Sequence, residues 1–188
     1  MPSLAERKTM STKVITGKVR ASFVHLFEPH STNGSDPKYS VSLIIPKSDK
    51  ETIGKIRTAI EEAKQNGLSK WNGKIPPNLK VPLRDGDEER PDDEAYADSY
   101  FINCNSLERP GIVDRKRLPI TDPTVIYSGC YIRASVNFYP FNTNGNRGIG
   151  AGLGNVQFWE DGDPLNGRVR AEDEFDALDT DDEDDFLT

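Results

Sequence analysis

Tyr131, Arg133 and Tyr139 occupy odd positions of a segment whose even positions, Ile132, Ala134, Val136 and Phe138, are all apolar. That alternation predicts a strand with one face in the core and the other face outward. An outward row of aromatic, cation and aromatic has one obvious chemistry. Nucleobases stack on rings for ~1–3 kcal/mol each, and Arg meets phosphate or stacks as well. Three other groups have side chains that extend such a surface. Lys18 and Arg20 lie on the polar side of an earlier alternating segment, and Arg115, Lys116 and Arg117 form a basic triplet. Trp71 sits between Lys70, Lys74 and Lys80, in what reads as a basic loop. The competing reading of each aromatic is structural: tyrosines cover many exposed sheets, and Trp71 can close the edge of a core.

Catalytic chemistry has much less support. His25 and His30 have no cysteine or carboxylate at a metal-ligand spacing. No GxSxG, HExxH or phosphate-loop pattern occurs. Residues 148–154 run Gly-Ile-Gly-Ala-Gly-Leu-Gly. Leu153 stands where a dinucleotide fingerprint needs its third glycine, and no helical pattern follows. The carboxylates between Asp85 and Asp98 lack the order of a calcium loop and read as a solvated charge run. The expectation is a protein without catalytic residues, metal or cofactor. A magnesium-dependent enzyme using residues 85–98 is a remote third reading.

The elements that must carry the basic and aromatic groups can be read in order. Lys13 to Pro29 alternates, with Ile15, Val19, Ala21, Phe23 and Phe27 on the expected core side. Lys38 to Ile45 is a second strand, stopped by Pro46. A helix over about 48–66 follows. Ser48 and Glu51 have capping-box spacing, Ile53, Ile56, Ile60 and Ala63 form a stripe, and Gly67 is its stop. Residues 68–99 show no period and predict a long loop. Short strands are expected at Tyr100–Cys104 and Gly111–Arg117. Tyr131–Tyr139 then turns through Asn142–Arg147 into a glycine-rich strand from Gly148 to Trp159. About six strands and one helix, with long alternating segments and glycine bends, predict a mainly β fold: an OB-fold-like Greek-key barrel.

Charge divides the chain into a body, 1–170, and an acidic tail, 171–188. The net charge is −7 overall, with 24 basic and 31 acidic residues. The tail holds ten of those acids and no base, so the body is net +3. Phe175, Leu178, Phe186 and Leu187 are too few to bury the surface that ordering the tail requires, which predicts disorder. A flexible polyanion tethered to a basic groove can occupy it and compete with nucleic acid. Asp184, Asp185, Phe186 and Leu187 are then the candidate contacts to a partner protein. Cys104 and Cys130 lack CxxC spacing and are expected as free, buried thiols. No apolar run is long enough to span a bilayer, and the N-terminus lacks the apolar region of a secretory signal.

Together these residues resemble a family. The body opens Lys-Val-Ile-Thr-Gly-Lys-Val-Arg-Ala-Ser-Phe and continues Lys-Tyr-Ser-Val-Ser-Leu-Ile-Ile-Pro-Lys, and the tail ends Asp-Asp-Glu-Asp-Asp-Phe-Leu-Thr. This is similar to bacteriophage single-stranded DNA-binding proteins of the replication machinery. The resemblance implies sequence-independent binding of single-stranded DNA in replication, recombination or repair. It also implies tail contacts to replication proteins such as a polymerase, helicase or primase, a monomer or dimer, and action in the host cell cytoplasm. Here the tail ends Phe-Leu-Thr rather than in Phe. The runner-up from a different class is an acidic-tailed β-barrel adaptor or chaperone that binds no nucleic acid.

Overall fold

The computed structural model describes residues 11–31, 34–165 and 175–178. The strands are β1 (Lys13–Ile15), β2 (Val19–His30), β3 (Lys38–Pro46), β4 (Arg84–Asp85), β5 (Ser99–Ser106), β6 (Ile112–Val113), β7 (Tyr131–Thr143) and β8 (Asn146–Glu160). Helix α1 spans Lys50–Asn66 and the short α2 spans Gly86–Glu89.

Five strands close a ring. β2 pairs antiparallel with β3, β3 with β5, β7 with β8 and β2 with β7, while β5 meets β8 in parallel at Asn105 and Gly152. This is the Greek-key order of the OB barrel. The extra strands are two or three residues long and flank it: β1 beside β7, β4 beside β5 and β6 beside β8.

The interior is the expected one along β7, where Ile132, Ala134, Val136 and Phe138 are all buried. α1 closes one side of the barrel with Ile53, Ile56, Ala59, Ile60 and Ala63. Its cap differs from the expected Ser48 and Glu51 pair. Asp49 is the N-cap and accepts from the Thr52 backbone N–H at 3.1 Å. Gly67 does end the helix, although in a right-handed conformation. What demands glycine there is space, because a Cβ would lie 2.6 Å from the Trp71 ring.

The first long strand breaks in two. Thr16, Gly17 and Lys18 separate β1 from β2, yet both pieces line the same edge of β7. Thr16 joins them. Its backbone N–H donates to Ala134 O at 2.9 Å, and its hydroxyl accepts from the Ala134 N–H at 3.0 Å. The kink turns Ile15 outward to 50% exposure. Phe23 also leaves its expected side. The β2–β3 register slips between Ser22 and His25, and a one-residue slip moves a side chain to the other face.

Residues 68–99 are packed rather than looped out. A 3-10 turn at Leu68–Trp71 leads to β4, α2 and a second turn at Glu94–Tyr96. Tyr96 is buried with Ile44 and Phe101, its ring edge-on to Phe101 at 5.1 Å. The acidic segment thus covers the outer face of β3 and β5. Its carboxylates are mostly tied locally. Asp85 and Asp87 pair with Lys47, Glu89 with Arg84, and Asp93 caps the second turn. The Lys47 ammonium holds the Asp87 carboxyl below its ordinary value. Among the described residues, no group of three or more His, Cys, Asp or Glu converges as metal ligands. Cys104 and Cys130 are unpaired and buried.

Candidate nucleic-acid interface

The outer face of β7 is the expected row: Tyr131, Arg133, Ser135, Asn137 and Tyr139 alternate with the buried set. The row spans roughly 26 Å at ~3.3 Å per residue. Register places β1 along it, Ile15 opposite Ser135 and Lys13 opposite Asn137.

At its centre lies a shallow groove of about 260 Å³ that brings Arg133 together with Lys13 and Arg117. Ile15, Ser135, Asn155 and Gln157 also line it, and among the described residues no carboxylate does. Among the described residues, none of the three cations has an acidic partner. Arg117 reaches the groove from a tight turn after β6, where its φ is +68° and Asp114 accepts from the Lys116 and Leu118 N–H groups. The basic triplet is therefore a turn and not a strand, and its members part. Arg115 is not among the groove's lining residues and donates to Trp159 O at 3.1 Å, while Lys116 is exposed. Lys13 was not singled out in the sequence. Its contribution depends on a pairing 124 positions away, Lys13 with Asn137, which only the fold reveals.

At one end of the row, Tyr139 is 41% exposed. Its ring lies flat on the β8 backbone. A Cβ on Gly150 would sit 2.4 Å from the ring carbon Cζ and 2.6 Å from Oη. The alternate glycines of β8 thus make a floor for the side chains of β7: Tyr139 on Gly150, and Ser135 beside Gly154. At the other end, Tyr131 is half-buried. The Lys18 ammonium and Arg20 guanidinium lie 4.8 and 5.7 Å from its ring centre. Lys18 pairs with Glu160, and Arg20 donates to Gly129 O at 3.1 Å and Asp163 O at 2.7 Å. These two cations are therefore already engaged within the protein.

Trp71 is corrected. It is 3% exposed and its indole N–H donates to Phe141 O at 3.1 Å. The ring fills the space above Gly67 as part of the core, so it offers no face to a base. Asp184, Asp185, Phe186 and Leu187 lie outside the described residues, whereas Phe175 and Leu178 are exposed.

An OB barrel carrying a cationic groove with no carboxylate among its described lining residues, beside an exposed tyrosine, defines an oligonucleotide-binding class of module. Comparison with known proteins narrows this. The chain belongs to the family of the Enterobacter phage Enc34 ssDNA-binding protein, whose profile matches residues 12–187. A putative protein p50 from Acyrthosiphon pisum secondary endosymbiont phage 1 is 35% identical over 187 residues, covering 93% of this chain and 98% of that one. Among solved structures, the bacteriophage Enc34 protein in complex with ssDNA superposes with a TM-score of 0.73 at 27% identity, over 82% of this chain and 90% of that chain. The bacteriophage T7 single-stranded DNA-binding protein gp2.5 shares the fold, with a TM-score of 0.59 at 17% identity, over 85% of this chain and 98% of that one.

Proposed function

We propose that this chain binds single-stranded DNA along the outer face of β7 and β8. The observation that carries the reading is the groove of Lys13, Arg117 and Arg133, with no carboxylate among its described lining residues, on a barrel whose solved relative holds ssDNA. The three cations meet phosphates, and Tyr139 offers an exposed ring for a base. Tyr131, with Lys18 and Arg20 against its ring, extends the track at the far end, and Arg115 and Lys116 flank it. Binding of this kind has no sequence preference, because every base has a stacking face.

The finer proposal concerns role and regulation. The protein coats single strands during phage DNA replication, recombination or repair. Its acidic tail competes for the groove when DNA is absent. Once displaced, the tail recruits replication proteins through Asp184, Asp185, Phe186 and Leu187.

A salt series of oligo-dT titrations tests the electrostatic part. Each phosphate contact contributes about −0.7 to the slope of log affinity against log salt. Replacing Lys13, Arg117 and Arg133 together with Ala should flatten that slope by about 2. A slope unchanged by the triple substitution removes the groove from the interface. Truncation after residue 170 should tighten binding at low salt, and equal affinities would show that the tail does not compete.

A further inference from the structure

Position 16 continues the buried phase of Val14 just past the end of β1, where an aliphatic side chain would complete the alternation. A threonine stands there instead, 3% exposed. Its hydroxyl is used twice: it accepts from the Ala134 N–H at 3.0 Å and donates to Gly17 O at 2.9 Å. The next residue is gripped from the other side. The Gly17 N–H donates at 3.0 Å to the hydroxyl of Thr52, a buried residue in the first turn of α1. A Cβ on Gly17 would stand 3.1 Å from that hydroxyl and 3.2 Å from the Asp49 carboxylate, so this corner sits directly on the helix start. At the opposite end of β1, Thr12 makes a similar tie at the surface. Its carbonyl accepts from the Phe138 N–H at 2.9 Å, and its hydroxyl donates to the Asn137 carboxamide oxygen at 2.9 Å.

We infer that Thr16, with Thr12 at the other end, is a positioning residue for DNA: the pair pins β1 to β7 and so keeps the Lys13 ammonium in the groove with Arg117 and Arg133. The inference rests on the single-stranded DNA reading above and names what assembles that site. The need for a clamp follows from β1 itself. It is three residues long, it pairs with β7, and of its side chains Val14 alone enters the core. So short an edge strand frays unless its ends are tied. Lysine makes the tie matter more. Its stem is flexible, and among the described residues no carboxylate fixes the head of Lys13. Where the ammonium stands is therefore set by the backbone, which the register holds opposite Asn137. The other two cations do not depend on the clamp. Arg133 belongs to the long β7, and Arg117 to the turn that Asp114 closes.

The test follows the slope of log affinity against log salt for oligo-dT on the full-length chain, using folded samples. Lys13→Ala should flatten it by about 0.7, one phosphate contact. Thr16→Val keeps the shape of the side chain and removes the hydroxyl. It should flatten the slope by the same amount, and the double variant by no more than either alone, because both substitutions remove one contact. Thr16→Ser keeps the hydroxyl and should keep the wild-type slope. Should Thr16→Val fail to fold, Thr12→Val repeats the measurement at a surface hydroxyl, with flattening again expected. A flattened slope in Lys13→Ala beside a wild-type slope in the threonine variant overturns the clamp and leaves the groove standing, even if the melting temperature falls. A double variant that loses two contacts overturns it as well. A wild-type slope in Lys13→Ala removes Lys13 from the interface, and the inference with it. A wild-type chain that does not bind oligo-dT overturns the single-stranded DNA reading itself.

Discussion

Tyr139 can be moved without being removed. Its ring rests on the backbone of Gly150, where an added Cβ would lie 2.4 Å from Cζ and 2.6 Å from Oη. Non-bonded carbons settle at about 3.5–4.0 Å, so Gly150→Ala displaces the ring by roughly 1 Å or more. The ring is 41% exposed, and its free path is outward. The fold should therefore tolerate the change, helped by the lower chain entropy of Ala in a strand. If the ring on its glycine floor is the surface a base uses, the displacement costs a large part of one stack, which at ~1–3 kcal/mol is worth about five- to 140-fold in affinity. Gly152→Ala is the matched control. Its Cβ would stand 3.6 Å from the Tyr139 ring and 3.4 Å from Asn137 O, which are ordinary contacts. Oligo-dT anisotropy titrations on Gly150→Ala, Gly152→Ala, Tyr139→Ala and the Gly150→Ala/Tyr139→Ala double variant form a complete set. Gly150→Ala should weaken binding and Gly152→Ala should not, while the double variant should match Tyr139→Ala, because both substitutions remove one interaction. Wild-type affinity in Gly150→Ala, or a double variant showing the sum of two separate losses, refutes the argument.

Three other outcomes follow from side chains the fold has placed. Trp71→Ala should destabilise the protein by roughly 3–5 kcal/mol in chemical denaturation, as for other buried aromatics, while the folded fraction keeps its DNA affinity. A specific loss of affinity would return Trp71 to the interface. Burial pushes the Cys104 thiol up to about 12 and the Cys130 thiol up to about 11. Neither should react with a disulfide reagent at pH 8 until denaturant is added, and prompt labelling of the native protein would contradict their placement. Asp87 and Lys47 stabilise each other's charged forms, lowering the carboxyl and raising the ammonium. The contribution of a lowered carboxyl is present above its unfolded value of 3.8 and is lost as pH falls through the folded value. The protection of amides in residues 84–98, measured against the intrinsic exchange rate at each pH, should therefore hold at neutral pH and fall in acid below that value. Lys47→Met should lower that protection already at pH 7.

The alternation of residues 131–139 disclosed both faces of β7, since a strand with one side in the core leaves the other to do chemistry. The stripe of α1 and the turn into β8 were legible for the same local reason. Asn144 and Gly145 both take positive φ, as a two-residue hairpin turn requires. What stayed hidden was set by distant partners. Alternation through Lys13–Pro29 runs on without a mark at Thr16 or Phe23, yet pairing across to β7 and β3 breaks the strand at one and bulges it at the other. Trp71 carried the composition of a stacking residue among lysines, and only Gly67 and Phe141 O reveal the cavity it fills. Tyr96 was masked by eight neighbouring acids, although its ring is what anchors that segment to the sheet.

The two acidic runs, equal in sign, have different consequences for the groove. Between Asp85 and Asp98, carboxylates are committed to Lys47, Arg84, Arg90 and backbone N–H groups, and the segment is nailed down by a buried tyrosine. A run held on the face of β3 and β5 cannot swing over to neutralise Lys13, Arg117 and Arg133. Nor, among the described residues, does any carboxylate line the groove. Among the described residues the three cations have no acidic partner, which leaves them to solvent counterions, to nucleic acid or, as proposed above, to the ten acids beyond residue 170. Counterion release makes the first two exchange with a steep salt dependence, and a tethered polyanion of the kind proposed would enter the same competition at a high local concentration. If the tail competes for the groove as proposed, the strength of that competition should fall with salt in step with that of DNA.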